Sequence, residues 1–106
     1  MAETLLFWKP GPHVKLSPPE IGRELTWGEE VDGLIDLNVR EILDRLKAAF
    51  PRNEERSGEL VGRGSGGGSF TATWTWQHVR VELHDLADED RERLIAAIGL
   101  IAHSPP

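Results

Sequence analysis

The stretch Ser69–Leu86, SFTATWTWQHVRVELHDL, constrains the fold more than any other part of the chain. Phe70, Ala72, Trp74 and Trp76 alternate with Thr71, Thr73 and Thr75, and Val79, Val81 and Leu83 alternate with Arg80, Glu82 and His84. A period of two belongs to a strand with one apolar face. With Gln77-His78 as a two-residue turn, Trp76 opposes Val79, Trp74 opposes Val81 and Ala72 opposes Leu83. Directly opposed residues share a face, so the apolar rows coincide. A one-residue slip would mix the faces. The turn chemistry is the weak element, because Gln-His is a poor substitute for Asn-Gly. A longer turn of the same parity satisfies the pattern equally. The tryptophans of this hairpin are expected in the core.

Three amphipathic segments supply partners for that apolar face. Val39, Ile42, Leu43, Leu46 and Phe50 make one stripe on a helix over Asn38–Phe50, which Pro51 ends. Leu86–Ala102 reads as a second long helix, with Asp88 as its cap and Leu94, Ile95, Ile98, Ile101 and Ala102 as its buried stripe. Gly99 should weaken it by about 1 kcal/mol relative to Ala. Ser17-Pro18-Pro19-Glu20 carries a capping-box signature and opens a short helix ending near Gly28. Thr4–Lys9 is too short for a helix and is apolar on both faces, as in a strand that is central or covered twice. Glu59–Gly62 reads as a further strand, and Pro51–Glu59 as a polar loop. The expected fold is therefore α+β, in the order β-α-α-β-β-β-α. About four antiparallel strands carry the helices on one face. Residues 1–103 form the domain and 104–106 a tail.

Composition narrows the function classes. A chain of 106 residues is one domain by size. It has no cysteine, which removes disulfides and thiolate chemistry. The N-terminus lacks the basic flank and apolar length of a signal peptide. The apolar run Leu94–Ala102 would reach about 14 Å as a helix, under half of a bilayer core. A cytoplasmic protein without membrane attachment is expected. The net charge is −6, and no basic stripe is evident, so nucleic acid is not an expected partner. An acidic surface suits a basic protein partner.

Candidate chemistry is sparse. Gly62-x-Gly64-x-x-Gly67 matches a dinucleotide fingerprint formally, but the next segment reads as strand rather than helix. A flexible loop is the expectation for this glycine-rich run. His78 and His84 lie about 20 Å apart on one strand and cannot share a metal. His13 and His103 fall in a loop and the tail. The serines lack a nucleophile-elbow setting. No cofactor and no metal are expected. The candidate binding residues are Trp8, Trp27, Glu29, Glu30, Asp32 and His84. Trp27 is an aromatic beside acids, which suits an interface anchor.

Several features occur together: the Phe7-Trp8 strand, the Glu30-Val31-x-Gly33-Leu34 connector, the Ile42-Leu43 helix ending in Phe50-Pro51, and the Gln77-His78 strand junction. In that combination the chain resembles a group of small bacterial proteins of uncharacterised activity. The resemblance implies no catalytic residues. The leading expectation is a small acidic protein-binding module of the immunity or inhibitor kind. The rival is an enzyme or small-ligand binder using the acidic connector and His84. A homodimer formed through an uncovered sheet face is the third reading; otherwise the chain is a monomer.

Overall fold

The computed structural model describes residues 2–9 and 36–104. Within them the order is β1 (Ala2–Trp8), α1 (Val39–Ala49), β2 (Asn53–Arg56), β3 (Glu59–Arg63), β4 (Ser69–Trp74), β5 (His78–His84), α2 (Asp88–Ile98) and β6 (Ala102–His103). The class is α+β, as expected. The strands form one sheet in the order β2-β3-β4-β5-β1-β6, with every neighbouring pair antiparallel. Two strands more than expected are present. The helix anticipated after Ser17 lies outside the described residues.

The central hairpin keeps the expected face parity and shifts its register by two. Trp74 opposes Val79, Ala72 opposes Val81 and Phe70 opposes Leu83. Trp76 leaves the strand and sits half-buried in the turn. The cause is Thr75. Its hydroxyl accepts hydrogen bonds from the backbone N–H of Gln77 (3.2 Å) and His78 (3.3 Å), and its own N–H reaches the His78 carbonyl at 2.9 Å. A side-chain-stabilised turn supplies what Gln-His lacks. Trp74 flanks the core rather than filling it.

Both helices cover one sheet face. Leu5 and Phe7 of β1, Leu60 of β3, Phe70 and Ala72 of β4, and Val79, Val81 and Leu83 of β5 meet Ile42, Leu43, Leu46 and Phe50 from α1 and Leu94 and Ile98 from α2. Helix α1 starts as its sequence indicates, with the Asn38 side chain accepting from the Glu41 N–H at 3.3 Å. Helix α2 is shorter than expected. Ala87 occupies the cap position and makes no side-chain cap bond, so Asp88 is the first helical residue. Gly99 adopts φ 75° and donates its N–H to the Ile95 carbonyl, ending the helix rather than weakening its middle. The chain then turns into β6, leaving Ile101 exposed and Ala102 beside Phe7.

Strand β2 was expected as loop because its sequence, Asn-Glu-Glu-Arg, has no apolar row. Its helix-facing residues dock by polar contacts instead. The Asn53 amide donates to the Phe50 carbonyl at 2.6 Å, satisfying the end of α1. Glu55 bridges Arg40 and Lys47 of α1. Hydrogen bonds from Arg40 and then Lys47 hold the Glu55 carboxyl at about 2, well below the usual carboxylate range. With only charged or polar side chains on an edge strand, β2 also discourages pairing with another chain.

Candidate functional site

The sheet face opposite the helices carries the remaining chemistry. Pairing register places its residues in rows. Arg63, Ser69, His84 and Ala2 stand side by side on β3, β4, β5 and β1. Val61, Thr71, Glu82 and Thr4 form the next row, and Glu59, Thr73, Arg80, Leu6 and His103 the third. Trp8 then opposes His78. Burial falls along these rows: Trp8 is 7% exposed and His78 4%, whereas His84 and Arg63 are exposed.

Trp8 was a candidate binding residue. It is largely buried, and its indole stacks on the His103 imidazole with ring centroids 3.6 Å apart and planes 14° apart. His103, expected in the tail, is thus a strand residue covering Trp8. His84 lies exposed at the end of β5. Trp27, Glu29, Glu30 and Asp32 lie outside the described residues. The described candidates are therefore not assembled into one cluster: Trp8 and His84 sit at opposite ends of the β1–β5 pair.

His78 is the buried titratable group of this face. The Thr75 oxygen already accepts two backbone N–H bonds, so its hydroxyl proton goes to His78 Nδ1, 2.7 Å away. The imidazole is then neutral, with its proton on Nε2. Burial, with a smaller contribution from the Arg80 charge, lowers its pKa below the ordinary 6.5. Burial lowers His103 in the same direction. A histidine depressed on folding makes the folded state the weaker proton binder. Its contribution is intact above pH about 6.5 and is lost as pH falls from there toward the lowered value. The melting temperature should therefore decline between pH 7 and about 5. His78→Gln should flatten much of that decline, leaving the share of His103. An unchanged slope in His78→Gln would remove His78 as its source.

The glycine-rich run is anchored to α2. Asp90 is 3% exposed, and its carboxylate accepts the Gly66 N–H at 2.9 Å and the Arg93 guanidinium at 2.7 Å. Arg93 also donates to the Ser65 hydroxyl at 3.0 Å. Gly68 has φ 76°, and a Cβ there would lie 2.2 Å from the Asp85 carbonyl oxygen. Glycine is required for that approach. The loop amide that a phosphate ligand would need is occupied by the chain's own carboxylate. Sequence reading missed this contact because Asp90 and Gly66 belong to different patterns.

At the sheet's outer edge, Arg52, Asn53, Glu54, Arg56, Val61 and Arg63 line an open groove of about 350 Å³. No group of His, Asp or Glu suited to hold a metal occurs among the described residues. No described helix is long and apolar enough to cross a membrane. No family model, no curated protein and no solved structure matches the chain.

Proposed function

We propose that this chain is a small acidic protein-binding module, of the immunity or inhibitor kind, whose partner is basic. The observation that supports this reading is how the surface charges are distributed. Arg40, Arg45, Lys47, Arg56, Arg91 and Arg93 each hold a carboxylate within the chain. On the first turns of α2, Asp88, Glu89 and Glu92 are exposed and make no direct ion pair among the described residues. With a net charge of −6, the excess acid faces outward, where it steers a cationic partner and sets register more than raw affinity.

The test is capture of a stoichiometric partner on the tagged full chain, washed at low and at high salt. Surface electrostatics is screened within about 3 Å at 1 M salt. A basic partner should be retained at low salt and released at high salt. Glu89→Lys with Glu92→Lys, and separately Glu30→Lys and Trp27→Ala, should weaken it. A partner held equally at both salts and by every variant would refute the electrostatic reading.

A further inference from the structure

We propose that Arg52, Arg63, Ser69 and His84 form a binding site for the phosphate monoester of a small soluble molecule. The site uses neither the acids of α2 nor the connector, so it stands apart from the protein-binding reading.

The first observation is an opposed pair of like charges. The Arg63 N–H donates to the Arg52 carbonyl at 2.9 Å, one step beyond the Asn53–Gly62 pair, so Arg52, the residue before β2, stands opposite Arg63 of β3. Like charges directly opposite are destabilising in a sheet. Both are exposed, both line the same groove, and neither has an acidic partner among the described residues. The nearest groove carboxylate, Glu54, is engaged by Arg56 at 3.2 Å. Among the described residues, a net-negative chain therefore keeps two guanidinium groups together at one spot without a carboxylate of their own.

The second observation is what continues the row. Ser69 opposes Arg63, and His84 opposes Ser69. Adjacent strands are about 4.8 Å apart, so His84 is about 10 Å from Arg63 with only a small hydroxyl side chain between. The row therefore runs from guanidinium groups at one end through a hydroxyl to an imidazole at the other.

The ligand chemistry follows from charge and size. Two guanidinium groups are matched by one phosphate monoester, which carries about −1.5 to −2 at pH 7 and accepts forked N–H donors. The groove beside Arg52 and Arg63, about 350 Å³, is bounded by Asn53, Glu54, Arg56 and Val61 and stops short of Ser69 and His84; it has room for the phosphate, and the rest of a small molecule lies on the open sheet face. Nucleic acid would need several phosphate contacts against the chain's overall negative charge. Glu54 and Glu59 repel a second anion further along β2 and β3, so the site takes one. The phosphate seats between Arg52 and Arg63, and the body of the molecule lies over Ser69 toward His84.

Phenyl phosphate titrated into the ¹⁵N-labelled full chain at constant ionic strength tests this. Saturable shifts confined to Arg52, Arg63, Ser69 and His84 are expected. Arg52→Gln and Arg63→Gln should each weaken binding about tenfold. Both variants remove a like-charge contact on an exposed strand, so their melting temperatures without ligand should equal or exceed the parent's. Linear, scattered shifts, or shifts indifferent to both substitutions, would overturn the site. Equal binding of a triglutamate peptide would overturn the phosphate assignment. Binding to phosphatidic acid vesicles without binding phenyl phosphate would overturn the assignment to a soluble molecule.

Discussion

Phe70→Ala should destabilise the protein by about 3–5 kcal/mol, the usual range for emptying a buried aromatic site. Phe70 is fully buried between the sheet and α1. Its ring meets Phe50 edge-to-face at 4.9 Å between centroids, and Arg93 lies 4.5 Å above the Phe50 ring. On the sheet side the Phe70 ring lies over Gly62, where a Cβ would come within 2.3 Å of it. The cavity is therefore walled by backbone and a second ring, neither of which collapses easily. For a domain whose total stability is about 5–15 kcal/mol, such a loss should be plain in a chemical melt. If the alanine variant does not fold, Phe70→Leu should still give a measurable, smaller loss. Gly62→Ala should cost less in the Phe70→Leu background than in the parent, because the clash is with the ring. Full additivity would contradict that packing.

Asp90→Ala should cost about 2–3 kcal/mol and loosen the loop between β3 and β4. The substitution removes the acceptor of the Gly66 N–H and of the Arg93 guanidinium together, and charge-assisted bonds lost from a buried carboxylate are among the costly ones. Hydrogen exchange at Gly66 should accelerate strongly while the β5 amides follow only the global change. Asp90→Asn retains an acceptor oxygen and should recover part of the protection. An Asp90→Ala variant with parental exchange at Gly66 would show that the carboxylate does not hold the loop.

Elements with a repeating apolar pattern were legible from the chain alone. The stripe from Val39 to Phe50 and the alternation on either side of the Thr75–Gln77 turn, Phe70 to Trp74 and Val79 to Leu83, each fit one type of secondary structure, and one-sided burial followed from them. Polar or very short elements were not. Strand β2 has no apolar row because Asn53 and Glu55 dock through the carbonyls and cations of α1. Strand β6 contains two residues and exists because Gly99 turns the chain back beside β1. The hairpin register also lay beyond the pattern, since alternation fixes parity while the Thr75 hydroxyl decides how many residues the turn consumes.

The same division holds for function. His84 and Trp8 were identifiable as side chains worth attention, and the excess of acid was countable. Their neighbours were not. Arg52, Arg63, Ser69 and His84 come from four segments that no local pattern joins, and strand pairing alone places them in one row. Local periodicity is a property of each segment and survives in the sequence. Which segment lies beside which is decided by the closing of the sheet, and so the face that a ligand or partner meets belongs to the tertiary structure.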